Sequence, residues 1–173
     1  DRGPHLFIDD RYIWVFTPMY HQGIHAAQGN GVTSGGKLNY SIGIEVIGYY
    51  ESVRWPEPIA NLVGIAVAAI KQKVGSFELR YQKFAGGISS HRDYNKPSCP
   101  GAAITESYYI DVLLQGWQRL QSAELGGAPA KPVVPVTEGS PILGEESGSK
   151  WQAVSYIQKH LPSDSEYKND VDI

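Results

Sequence analysis

A histidine and the only cysteine of this 173-residue chain share one loop. They lie in the run Ser90-His91-Arg92-Asp93-Tyr94-Asn95-Lys96-Pro97-Ser98-Cys99-Pro100-Gly101. The prolines and the glycine stiffen the stretch. A thiolate and an imidazole brought together by a rigid loop are two ligands of a tetrahedral zinc site. Zinc with an open coordination position activates water, which is the chemistry of a hydrolase. The bland alternative is a buried cysteine beside a loop histidine. Arg92-Asp93 and a Cys99-Pro100-Gly101 turn ahead of a helix are not what a generic core strand contains. Glu45 is the second candidate. It interrupts an apolar run between Ile44 and Val46. A carboxylate there needs a partner or a function, unless the strand end simply reaches water.

These residues need elements to hold them. Residues 5–9 and 12–16 are aromatic and β-branched around Asp9-Asp10-Arg11, and read as a β-hairpin. Residues 22–36 hold five glycines with little periodicity and read as a loop. Residues 40–48 read as a near-continuous apolar strand in the centre of a sheet covered on both faces. The spacing of Ile59, Leu62, Val63, Ala66, Val67, Ile70 and Val74 predicts a helix over 57–74. Pro58 suits its first turn and Gly75 its end. Residues 77–84 are ambiguous between strand and irregular structure. Residues 88–90 read as a short strand leading into the His91 loop. A second helix is predicted over 105–121, with Tyr109, Val112, Leu113, Gly116, Trp117 and Leu120 on one face.

Composition then changes. Residues 123–141 carry four prolines and three glycines and read as a linker. Residues 142–173 form a short helical tail, with Ser149 as cap and Trp151, Val154, Ile157 and Leu161 on one face. A single helix cannot bury its own face. It either packs back on residues 1–122 or begins a further domain.

Hydrophobic residues make up 42% of the chain, enough for a packed core. The formal charge is -3, and the acidity is concentrated in the tail: seven acids and three bases follow from Glu138 on. The basic patch that phosphate binding requires is lacking, so no nucleic-acid partner is expected. The longest apolar run, residues 60–70, is too short to span a membrane. The first residues show no signal-peptide pattern. One cysteine cannot form an internal disulfide.

The ordered set of motifs resembles a known family. His25-Ala26, Asn39-Tyr40-Ser41-Ile42-Gly43-Ile44-Glu45, Ser90-His91-Arg92-Asp93 and Cys99-Pro100-Gly101 together resemble the type 2 N-acetylmuramoyl-L-alanine amidases. That family includes phage endolysins, bacterial autolysins and the peptidoglycan recognition proteins. The resemblance covers residues 5–121. It implies an α/β fold, with a mixed central β-sheet and helices on both faces. It implies a Zn2+ cofactor and hydrolysis of the amide between N-acetylmuramic acid and L-alanine in peptidoglycan. Carried over residue by residue, His91 and Cys99 are metal ligands and Glu45 is the general base. Lys96 stands near the oxyanion position, although the matching position itself is Pro97. His25 and Asn39 fall in the substrate groove. Asn39 stands two positions before Ser41, where the family usually has three. A tyrosine used by some members on the first hairpin strand is Pro4 here. The location implied is secreted, wall-associated, or released by phage at host lysis.

The family's first zinc histidine lies on a strand upstream of the hairpin, before residue 5. Three expectations follow. The chain is a fragment lacking that strand, or His25 completes the site, or the domain binds the wall without cutting it. The sheet should then show an unpaired edge, or a gap filled by another segment or a neighbouring chain. His5 and His21 read as surface or strand-end histidines, and His160 as a tail histidine without a partner. The tail resembles, over a short stretch, the lead-in to a second lytic domain of glucosaminidase type.

Overall fold

The computed structural model describes residues 3–34, 37–74, 77–83, 86–125, 149–161 and 171–173. The chain is broadly α/β. Strands β1 (Leu6–Ile8) and β2 (Ile13–Val15) form the expected hairpin, paired Leu6 with Val15 through Ile8 with Ile13. The Asp9 carboxylate closes the turn by accepting the N–H groups of Arg11 and Tyr12 and the indole N–H of Trp14.

The glycine-rich stretch is not wholly a loop. A 3₁₀ turn, Ala27–Asn30, leads into an antiparallel pair, β3 (Gly31–Ser34) and β4 (Lys37–Tyr40). Glycines carry no hydrophobic alternation, so the pairing left no pattern to read. Strand β5 (Ile42–Val46) is correspondingly shorter than residues 40–48, because Tyr40 belongs to β4 and Ser41 breaks the run.

Helix α1 spans Glu57–Lys73 with Pro58 in its first turn, as the spacing predicts, and Val74 takes the capping position. It packs against β1, α2 (Glu106–Leu125) and α3 (Ser149–His160). This triple contact explains why every residue from Val63 to Ile70 is buried rather than one stripe alone. Gly64 and Gly116 let the α1 and α2 backbones touch. A Cβ at Gly116 would collide with the Gly64 backbone, and a Cβ at Gly64 would crowd the Val112 carbonyl. Helix α2 buries Tyr109, Val112, Leu113, Gly116 and Leu120, as expected, and Trp117 only in part. It runs on to Leu125, past the expected start of the linker at 123. The rest of the linker, residues 126–148, lies outside the described residues.

The main sheet has the order β2-β1-β5-β7-β6, where β6 is Ile88–Ser89 and β7 is Val171–Asp172. Only β1–β2 is antiparallel; β1–β5, β5–β7 and β7–β6 are parallel. The sheet is therefore mixed. The gap between β5 and β6 is filled by a segment of the tail. The Tyr109 hydroxyl donates to the Ile173 carbonyl at 2.9 Å, which ties that segment to α2. The tail helix and its strand pack back on the residues before the linker. The ambiguous stretch before β6 is irregular among its described residues, with a single parallel bridge from Tyr81 to Ile88.

No helix among the described residues is long and apolar enough to cross a membrane.

Candidate functional site

Register decides which side chains share a face. Leu6 pairs with Ile44, and Phe7 with Glu45. Successive residues alternate across a strand, so Leu6, Ile8, Ile42 and Ile44 turn to one face and Gly43 and Glu45 to the other. The first set is buried in the main core. On the second face the His25 ring sits over Gly43, where a Cβ would collide with it. Glu45 is two residues further along the same face.

The strand β6 delivers His91 to this side. After Ser89, the chain enters a 3₁₀ turn, His91–Tyr94. The Asp93 carboxylate accepts the Ser90 N–H at 2.9 Å and the Tyr81 hydroxyl at 2.8 Å. The Tyr81 and Ser90 hydroxyls lie 2.6 Å apart. Burial, above all, holds the Tyr81 phenol well above its ordinary titration range, so it stays a neutral O–H. Tyr94 donates to Ser89 Oγ at 2.9 Å. The turn ends at Asn95, whose φ of 67° is the left-handed conformation that asparagine tolerates. The Lys96 N–H returns to the His91 carbonyl at 3.2 Å, and the Cys99 N–H to the Lys96 carbonyl at 3.0 Å. Arg92 fastens the far end: its Nη2 donates to the Gly101 carbonyl at 3.0 Å and to that of Ile104 at 2.7 Å.

The outcome is a line of three groups. Cys99 Sγ lies 3.4 Å from His91 Nδ1, and His91 Nε2 lies 3.3 Å from Glu45 Oε1. The His91 side chain is 9% exposed and that of Glu45 34%, so the carboxylate also reaches solvent. A cleft of about 300 Å³ opens over this line. Its walls include Tyr49, Tyr50, Glu51, Trp55, Pro100 and Ile173. The Trp55 indole N–H is buried there and meets no acceptor among the described residues.

The spacing fits a metal. Zinc–nitrogen and zinc–sulfur bonds of about 2.0–2.1 Å and 2.3 Å, at a tetrahedral angle, separate the two ligand atoms by about 3.6 Å. The observed 3.4 Å is close to that value. Glu45 on the other ring nitrogen matches the carboxylate that usually orients a metal-bound histidine. Among the described residues, no group of three or more His, Cys, Asp or Glu converges as a metal cluster.

The remaining sequence candidates lie beside the line rather than in it. His25 Nε2 is 3.4 Å from Ser41 Oγ, and the His25 carbonyl accepts Lys96 Nζ at 3.4 Å. Neither His25 nor Lys96 lines the cleft. Asn39 pairs with Val32 in the β3–β4 ladder; its side chain lies outside the described residues. His21 is exposed, as expected.

His5 departs from its expectation as a surface or strand-end residue: it is wholly buried. Its Nε2 lies 2.8 Å from the His21 carbonyl and its Nδ1 accepts the Gly43 N–H at 3.0 Å. A carbonyl only accepts and a backbone N–H only donates, so the neutral Nε2–H tautomer is fixed. Burial, chiefly, lowers its pKa to about 4, and the neighbouring His25 adds to this. His160 stacks on Tyr156, with ring centroids 4.4 Å apart, and so has a partner after all. Sequence reading also missed Tyr81 and Arg92. Arg92 lies within the His91–Cys99 run, but the carbonyls it joins are 9 and 12 residues further on and leave no periodic signal.

No family model, curated protein or solved structure matches this chain.

Proposed function

We propose that this chain is a zinc-dependent peptidoglycan amidase, cleaving the bond between N-acetylmuramic acid and L-alanine. The proposal includes the type 2 amidase fold, with helices on both faces of the sheet, an amidase unit over residues 1–122, and action at the bacterial wall. One observation carries it: His91 Nδ1 and Cys99 Sγ stand at a zinc-ligand separation, with Glu45 behind His91, beneath an open cleft. The motif resemblance supplies the substrate class.

His91 and Cys99 would hold the ion. Bound there, zinc would supply a water nucleophilic at neutral pH and would polarise the scissile carbonyl. Glu45 accepts from His91 Nε2–H, which fixes the tautomer and leaves Nδ1 bare as a ligand. Its partly exposed carboxylate also faces the cleft. There it takes the proton of the attacking water and returns it to the leaving amine. Lys96 stands on the same loop as Cys99 but outside the cleft, and its amine would have to leave the His25 carbonyl to meet the developing oxyanion.

The test is digestion of purified peptidoglycan. Release of new L-alanine amino termini, abolished by a chelator and restored by zinc, is the expected result. New reducing sugar ends without amino termini would refute the bond assignment. Wall binding without turnover would select the non-catalytic binding module instead.

A second reading rests on the same line of groups. A thiol, an imidazole and a carboxylate in hydrogen-bonding sequence are also the order of a cysteine nucleophile, its base and an orienting acid. Against it, the Cys99 N–H is committed to the Lys96 carbonyl and does not serve an oxyanion. Turnover that survives a chelator but not a thiol alkylator would favour this reading over zinc.

A further inference from the structure

The segment between β5 and α1 forms a lip on the cleft, and its construction is specific. The Tyr50 hydroxyl donates to the Ile47 carbonyl at 2.9 Å, and the Tyr50 ring covers Gly48 so closely that a Cβ there would collide with it; the φ of 149° at Gly48 also disfavours any other residue. Gly101, at φ 114°, presses on the Tyr50 carbonyl so closely that a Cβ would collide with it. The Ala102 N–H donates to the Glu51 carbonyl at 2.9 Å. The lip is thus fastened to the loop that carries Cys99. On this fixed base Tyr49 is 81% exposed, the most exposed large hydrophobic side chain among the described residues. Its hydroxyl donates to the Glu51 carboxylate, which holds the ring at the cleft margin.

We propose that Tyr49 and Glu51 form a saccharide subsite, in which a sugar ring of the glycan strand stacks on Tyr49 and its hydroxyl or acetamido N–H groups donate to Glu51. This deepens the amidase reading, and rests on it for the orientation of the substrate. An exposed, restrained aromatic face beside a carboxylate suits a ligand with one C–H face and a rim of donors. Charge selects the glycan over the peptide. Glu45 and Glu51 both line the cleft, and stem peptides carry carboxylates that these two would repel. An N-acetylated glycan is uncharged.

The test uses the full chain and a soluble N-acetylglucosamine tetrasaccharide, which contains no bond the amidase reading would cut. Titration calorimetry should show binding that Tyr49→Ala weakens about three- to ten-fold, the scale of one aromatic contact. Tyr49→Phe keeps the stacking face and should retain most of it. Tyr20→Ala, at an exposed tyrosine outside the cleft, should change nothing. Equal binding by wild type and Tyr49→Ala would overturn the subsite, as would no binding by wild type. If the tetrasaccharide binds as expected while peptidoglycan stays uncut, the subsite stands and the hydrolytic reading falls. If peptidoglycan is cut but the tetrasaccharide does not bind, the reverse holds.

Discussion

Acid should destabilise this fold through one buried ring. His5 is fully enclosed, and its two nitrogens are committed to the His21 carbonyl and the Gly43 N–H. Protonating Nδ1 would cost the Gly43 bond and place a charge in the core. The folded-state pKa is accordingly lowered from 6.5 to about 4. Between those values the unfolded chain binds a proton that the folded chain does not. Stability from this group is therefore fully present above pH 6.5 and is lost as pH falls toward 4. At 1.36 kcal/mol per unit, the full effect is about 3 kcal/mol, a large share of a small domain's stability. Urea unfolding at intervals from pH 7.5 to 4 measures it. The wild-type midpoint should fall steadily below pH 6.5, and His5→Gln, which cannot titrate, should be less stable at neutral pH but show a much shallower decline. Equal slopes in the two proteins would refute the reasoning, since the acid sensitivity would then belong to other groups.

Three further outcomes are expected. Glu45→Gln should leave the melting temperature within a few degrees while reducing wall hydrolysis roughly 10²-fold, the scale of a lost general base; undiminished turnover would remove Glu45 from the mechanism. Arg92→Lys cannot bridge the Gly101 and Ile104 carbonyls with one planar fork. It should loosen the Cys99 loop and weaken zinc retention against a chromophoric chelator about ten-fold or more, the scale for outer-shell partners of a metal. Unchanged retention would show that the loop holds itself. Gly116→Ala should destabilise the chain by about 1–3 kcal/mol, because its methyl would meet the α1 backbone rather than a yielding side chain; a neutral effect in thermal unfolding would mean that the two helices separate freely.

The helices were legible because their apolar spacing is local. Val112, Leu113, Gly116 and Leu120 recur at one period and are buried as that period requires. Strand β7 was not legible, since Val171–Asp172 follows a polar stretch and is defined by partners far away in the chain. The β3–β4 pair was hidden by glycine. Within the site, the His91–Cys99 pair could be read because one short loop holds both. The contact of Glu45 with His91 could only be suspected from an acid in an apolar strand. The buried state of His5 left no trace, because a histidine at a strand edge looks the same whether or not a carbonyl waits for its second nitrogen.

The placement of β7 has a consequence for how the molecule opens. Strands β5 and β6 do not pair with each other; each pairs with the same two residues, Val171 and Asp172. The carboxylate and the imidazole of the site ride on opposite sides of that seam. The helices share a large apolar contact that does not depend on it. Short pairings of this kind are the first to exchange in a native protein. Local opening of the seam would release the Val171 and Ile173 amides to deuterium well before those of α1, and would part Glu45 from His91 while the helical layer stays folded.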